Sequence, residues 1–456
     1  MQKWNRFQYL PVRPLGKDGR MVTGSSEHIR LSRTAAAEGM VLLKNEHQLL
    51  PLQKGSRVAL FGKASADYVK GGGGSGDVTV AYVRNLCDGM EEKENEGKLS
   101  VFAPLNEFYR ENVAQQHKAG KNPGYTTEPE VPAELLKQAA REYDTAIISI
   151  CRFSAEGWDR KGEPDDGDFY LSREEQRMVA DVTAAFRKVV VVLNVGGMVD
   201  TSWFAHNDKI FSVLLAWQGG MEGAMAEADI LCGDVTPSGK LTDTFAASFD
   251  DYPSSANFND SKDYVCYTDD IFVGYRYFET IPGAAEKVNY PFGFGLSYTS
   301  FDLTCEKTEI DSESIAVTLR VTNTGAYAGK EVLQLYTSAP KCRLEMPKLE
   351  LRAFRKTDLL KPGESRTVTL RVPTSELSVY DEKLAAYVLP AGSYRIFAGT
   401  SVRAIREVGV FEVEQERVVG QVKNRCAPKK LPQRLKADGS YEKLETGEYA
   451  PVYDTA

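Results

Sequence analysis

Three apolar runs, TAIISIC at 145–151, KVVVVLN at 188–194 and IFSVLLAW at 210–217, constrain this chain more than any other feature. Each is too short for a core helix and too unbroken for a strand with one wet face, so each reads as a strand covered on both sides. A shorter run at 57–61 reads the same way. Helical stretches separate them. SREEQRMVADVTAAF (172–186) places Glu175 three residues after Ser172, the spacing of a capping box, and GMEGAMAEADILCG (220–233) stops at a glycine that suits a helix C-terminus. HIRLSRTAAAEGMVLLKNE (28–46) is rich in helix formers and is expected to be a helix with Ser32 as its cap. Strand and helix alternation predicts an α/β fold to about residue 240: a mainly parallel sheet sandwiched by helices.

The pattern changes after Pro291. SIAVTLRVTN (314–323), KEVLQLYTS (330–338), SRTVTLRV (365–372) and SYRIFAG (393–399) alternate apolar and polar residues between NTGAYAG, KPGE and PAG turns, predicting an immunoglobulin-like β-sandwich. The GYRYF and PFGFGLSYTSF segments obey neither period and are expected to be an irregular bridge. From residue 420 both periodicities fade into a tail that reads as a linker or a wrapping segment. The expected organisation is therefore an N-terminal extension (1–27), an α/β domain (28–299), a β-sandwich (300–419) and a tail (420–456).

Composition narrows the function. With 56 basic and 64 acidic residues the net charge is −8, so no global positive field draws nucleic acid or anionic lipid. The first twenty residues lack the apolar core of a signal peptide and no long apolar run follows, which gives a cytoplasmic expectation with no membrane partner. Seven cysteines without a CxxC pair suggest reduced thiols, and four histidines without helical ligand spacing imply no metal.

Two loops could carry chemistry. CRFSAEGWDRKGEPDDGDFYLSREEQ (151–176) leaves a predicted buried strand at the carboxyl edge of the sheet, where open α/β proteins bind ligands. It gathers Glu156, Asp159, Asp165, Asp166 and Asp168 with Arg160 and Trp158: an acid, an orienting ion pair and an aromatic platform for a sugar face. Solvated acidic surface is the competing reading of the same composition. GGGGSG (71–76) matches GxGxxG through Gly71, Gly73 and Gly76, but DVTVAYV beyond it is β-branched and aromatic rather than a helix start, and no lysine-serine or lysine-threonine ending follows. Nucleotide binding therefore stays a weak option. The loop is either a flexible tip or a backbone that approaches a ligand closely, with the Ser75 hydroxyl able to bond it. No GxSxG elbow supports a serine nucleophile.

Taken together, AAAEGMVLLKNEHQLLPL (35–52), VALFGK with GGGGSGD, FSAEGWDRKG with GDFYLS, VVVVLNVGG, LLAWQGGMEGAMAEADILCGDVTPSGKLTDTF (214–245), FVGYRYFE (272–279) and YPFGFGLSYTSF (290–301) resemble the C-terminal half of family 3 glycoside hydrolases, the β-glucosidase family. VTNTGAYAGKEVLQLY, LRAFRKTDLLKPGESRTV and LPAGSYRIFAG resemble the fibronectin type III-like domain of the same enzymes. The resemblance implies that Glu156 is the general acid/base of a retaining β-glycosidase, that Asp159 and Arg160 organise its loop, and that Gly74, Ser75 and Trp158 lie near the sugar. It implies no cofactor and a β-linked oligosaccharide or an aryl or alkyl glycoside as substrate. The family's nucleophile is an aspartate on a (β/α)8 barrel, and the 27 residues before the α/β motifs cannot hold one. The order of motifs resembles the circularly permuted branch, with the barrel last, so the nucleophile is expected outside this chain, on a barrel joined in cis or in trans. The alternative is a non-catalytic carbohydrate-binding or partner-binding protein derived from such an enzyme.

Overall fold

A computed structural model describes residues 24–158, 160–258, 261–423 and 431–444. These fall into two compact units: the described residues of Met1–Arg160, Leu171–Gly197 and Lys209–Pro237 form the first, and those of Lys161–Tyr170, Met198–Asp208 and Ser238–Ala456 the second. Residues 238–299, which motif order assigns to the α/β domain, thus belong to the compact unit that also holds the sandwich.

The first unit contains α1 (Ser26–Gly39), β1 (Val41–Asn45), β2 (Ser56–Phe61), α2 (Leu86–Asn95), β3 (Leu99–Val101), α3 (Ala103–Lys118), α4 (Ala133–Glu142), β4 (Thr145–Cys151), α5 (Arg173–Ala185), β5 (Lys188–Asn194), β6 (Ile210–Leu215) and α6 (Gly223–Leu231). Its six strands run β1-β6-β5-β4-β2-β3. All neighbours are parallel except β1, which lies antiparallel on the β6 edge. Every residue of β4 is buried, as is all of β5 after Lys188, so the unbroken apolar runs are doubly covered strands. Each such valine contributes ~1.5–3 kcal/mol on leaving water. The chain passes from β2 to β3 on one side and returns to β4 on the other, so the β2/β4 boundary is a topological switch point, where loops diverge and leave a crevice.

Two expectations here need correction. The first helix begins earlier and ends earlier than predicted: Ser25, not Ser32, caps it by accepting from His28 N–H, and Val41–Asn45 is strand. Val41, Leu42 and Leu43 are all buried against β6, and pairing on that edge outweighs leucine's helix propensity. The Ser172/Glu175 capping box of α5 is present in both directions.

The second unit contains β7 (Phe245–Ala246) paired with β8 (Val288–Tyr290), and then the sandwich strands β9 (Phe301–Ile310), β10 (Ser314–Asn323), β11 (Val332–Ser338), β12 (Glu350–Lys356), β13 (Ser365–Pro373), β14 (Val379–Asp381), β15 (Ala386–Leu389), β16 (Gly392–Ser401), β17 (Ala404–Val413) and β18 (Arg417–Gln421). Sheets β13-β10-β9 and β12-β11-β16-β17 bury a shared core that includes Val317, Leu319, Leu335, Leu370 and Ile396. The alternating pattern is therefore a fibronectin-like sandwich.

The bridge is not wholly irregular. Tyr275–Thr280 is a short helix entered from Gly274, whose φ is +58°. One and a half turns are too few for a helical period to show in sequence. Within the tail, β19 (Gln433–Leu435) and β20 (Tyr441–Lys443) form a hairpin whose Leu435 is buried with Phe272, Phe278 and Ile281, the packing of a wrapping segment rather than of a free linker.

Candidate active site

β2 ends at Phe61 and delivers the chain to the glycine loop; β4 ends at Cys151 and delivers it to the acid loop. Both loops therefore leave the switch point from adjacent strands. Gly62, with φ +92°, must be glycine because a Cβ there would lie 2.1 Å from the Ser149 carbonyl oxygen. In the acid loop, Trp158 N–H donates to Ala155 O at 3.0 Å and Gly157 takes φ +73°, the third-position geometry a type II turn requires. AEGW is thus a tight turn that holds Glu156 at its tip.

The two loops are laced together. Gly73 N–H donates to Ser154 O at 2.9 Å. Ser75 donates its N–H to Glu156 Oε2 at 2.9 Å and its hydroxyl to Oε1. The Ser75 hydroxyl, and then its N–H, hold the exposed Glu156 carboxyl below the usual glutamate range, because both bonds favour the anion. Across the neck of the glycine loop, Lys70 Nζ pairs with Asp77 and donates to Val78 O at 2.9 Å.

Gly73, Glu156, Lys70 and Asp77 among them line a cavity of about 680 Å³. Gly74, Glu156 and Trp158 lie on its wall with Phe153, Asn122 and Pro123. The Trp158 ring is half exposed and meets Tyr125 edge-on at 5.3 Å, and Tyr125 meets Phe153 at 5.1 Å. The loop carrying Tyr125 is fixed from below: buried Asp67 accepts Gly124 N–H at 3.0 Å and the Thr126 hydroxyl at 2.5 Å, while Lys63 Nζ donates to Gly124 O at 3.0 Å. Apolar ring faces beside a carboxylate suit a sugar or an aryl group.

Among the expected site residues, Gly74, Ser75, Glu156 and Trp158 come together. Asp159 lies outside the described residues. Arg160 is absent from the cavity wall; its Nη1 lies 3.4 Å from where a Gly197 Cβ would be. Asp165, Asp166 and Asp168 belong to the second unit, where Asp168 accepts Lys161 N–H at 2.7 Å and Asp166 pairs with Lys161 Nζ at 3.4 Å. The contributions of Tyr125, Phe153 and Lys70 were not expected from sequence. NPGY at 122–125 was the available signal, a turn sequence carrying an aromatic residue. Among the described residues no cluster of ligating side chains could hold a metal ion, and no helix is long and apolar enough to cross a membrane.

Residues 40–298 match the glycosyl hydrolase family 3 C-terminal domain, and residues 331–402 match the fibronectin type III-like domain. The chain belongs to glycosyl hydrolase family 3. Among its family 3 relatives, Beta-glucosidase A of Butyrivibrio fibrisolvens is 49% identical over 495 residues, spanning 100% of this chain and 59% of that protein. A beta-glucosidase of Ruminococcus albus is 38% identical, spanning 88% of this chain and 42% of that protein. Among solved family 3 structures, a beta-glucosidase from Paenibacillus barengoltzii superposes with a TM-score of 0.84 at 38% identity, covering 92% of this chain and 47% of that one. Beta-glucosidase 3B from Thermotoga neapolitana in complex with glucose gives 0.79 at 37% identity, covering 88% and 56%. This family 3 chain therefore spans about half the length of the relatives it matches.

Proposed function

We propose that this chain supplies the acid/base half of a retaining β-glycosidase that removes terminal β-linked sugars, and that a (β/α)8 barrel outside these residues, in cis or in trans, supplies the nucleophile. The observation that carries the reading is the seating of Glu156 against Ser75 at the mouth of an aromatic-walled cavity. In the first step Glu156 gives a proton to the glycosidic oxygen as the nucleophilic carboxylate attacks the anomeric carbon. In the second, its carboxylate takes a proton from the water that releases the sugar and is ready again as an acid. Held by Ser75 and open to solvent, the carboxyl is anionic; covering by barrel and substrate would desolvate it and favour the protonated form the first step needs. Asp159 and Arg160 are proposed to order the loop behind it.

The test is hydrolysis of an aryl β-glucoside by the 456-residue chain, alone and fused to a family barrel. Essentially no turnover alone, and restored turnover that depends on Glu156 in the fusion, is the expected result. Robust hydrolysis by the isolated chain that survives Glu156→Gln contradicts it. The half-exposed Trp158 beside Tyr125 and Phe153 favours a second reading, non-catalytic carbohydrate binding, which predicts saccharide binding and no turnover in either form.

A further inference from the structure

VVVVLNVGG is prominent in the sequence, yet none of its residues lines the cavity. Its asparagine ends β5 and is 1% exposed. Oδ1 of Asn194 accepts Val69 N–H at 2.8 Å, and Nδ2 donates to Val69 O at 2.9 Å and to Trp217 O at 2.7 Å. The amide treats Val69 as a neighbouring strand would, taking its donor and filling its acceptor together. A side chain needs an acceptor and a two-proton donor on one short plane to do this; aspartate lacks the donor and leucine lacks both.

Val69 is the root of the glycine loop. The root of the acid loop meets the same residue, because Arg152 N–H donates to the backbone carbonyl of Asn194 at 3.1 Å. Each root is then secured again. Gly220 N–H donates to Lys70 O at 2.9 Å, and Arg152 forms a two-pronged buried pair with Glu175 at 2.8 and 2.9 Å. Trp217, whose carbonyl Asn194 also holds, sits at φ +56°, a conformation non-glycine residues keep only when neighbours enforce it.

Resting on Glu156 as the acid/base group, we propose that Asn194 is a positioning residue: by fixing the spacing between the roots of the glycine and acid loops, it aligns Ser75 with the Glu156 carboxylate. It touches neither the cavity nor the carboxylate. Its influence runs through Val69 and Lys70 on one side and Arg152 on the other.

The test follows the Glu156 carboxyl by NMR titration of the 456-residue chain, assigned with Glu156→Gln. Ser75→Ala removes the hydroxyl bond and is expected to raise the Glu156 pKa toward the ordinary 4.5. Asn194→Ser, a neutral change that adds no charge, is expected to raise it in the same direction. Combined with Ser75→Ala it should add less than it does alone, because only the residue-75 N–H bond to Oε2 is then left to lose. A folded Asn194→Ser protein with an unmoved Glu156 overturns the proposal, as does an additive rise in the double variant. Where Asn194→Ser fails to fold, amide exchange in the unaltered protein decides: Val69 N–H should be protected like the amides of β4 and β5, and exchange as fast as that of Gly76 overturns the proposal. An unmoved pKa in Ser75→Ala removes the contact on which alignment depends and overturns it also. The acid/base reading stands or falls separately, on the activity of the barrel fusion, which these titrations do not involve.

Discussion

Ser75 reaches both oxygens of Glu156, donating its N–H to Oε2 at 2.9 Å and its hydroxyl to Oε1. One serine on the loop after β2 thus captures the carboxylate presented by the loop after β4. The contact works only because its neighbour is small. A Cβ on Gly74 would lie 2.6 Å from Glu156 Oε2, and Gly74 has φ +73°.

Gly74→Ala should therefore displace Glu156 and strain the loop backbone, at about 1–3 kcal/mol. Carboxyl NMR should show the Glu156 pKa rising toward the ordinary value as the bonds to its anion are lost. An unchanged pKa would mean that the loop accommodates the methyl without releasing the acid.

The capping-box glutamate of α5 does a second job. Glu175 accepts Ser172 N–H at 2.9 Å and also both prongs of Arg152, with both side chains buried. Arg152→Ala leaves a carboxylate unpaired in the interior and should destabilise the first unit by about 3–5 kcal/mol in urea unfolding. The Arg152→Met/Glu175→Leu pair should be much less damaging, because no lone charge remains. Equal losses would show that packing, not charge, sets the stability here.

Glu227 in α6 is fully buried, and its Oε1 has no hydrogen-bond partner among the described residues. Desolvation alone pushes its pKa up to about 8. Between the ordinary 4.5 and about 8 the folded protein keeps a proton that the unfolded chain releases, so stability falls as pH rises through that window and levels off above it. Glu227→Leu should remove this dependence and be more stable than the unaltered protein, by on the order of a few kcal/mol at the alkaline end. Urea midpoints at about pH 5 and about pH 8 check it: the gain should widen with pH, and a constant gain would contradict the assignment.

Trp158 supplies the exposed ring of the cavity. In the barrel fusion, Trp158→Ala should raise KM for aryl β-glucosides several-fold, the loss of a stacking face being worth ~1 kcal/mol, with a smaller effect on kcat. Loss confined to kcat would place the ring on the reacting atoms instead.

What could be read from the sequence follows physical lines. β4 and β5 were legible because double burial leaves an unbroken apolar run, and the sandwich because one wet face enforces alternation. Val41–Asn45 was not legible, since leucines next to a helix carry no sign that an antiparallel edge is waiting. The tail hairpin had a visible cue in Asp438–Gly439, but its two strands are only three residues long. At the site, Glu156, Ser75 and Trp158 stood out by motif. Tyr125 and Asn194 did not, because what places them is distant in sequence: Asp67 and Lys63 for the loop of Tyr125, and Val69 and Trp217 for Asn194.

The central claim is that Glu156 moves the proton. Its most direct test is Glu156→Gln in the barrel fusion, compared across leaving groups. Hydrolysis of alkyl glucosides, whose poor leaving groups need protonation, should collapse, while release of an activated aryl group should be slowed far less in the glycosylation step, and added azide should speed the second step by replacing the water that no longer has a base. An equal loss for all leaving groups, with no response to azide, would contradict the assignment.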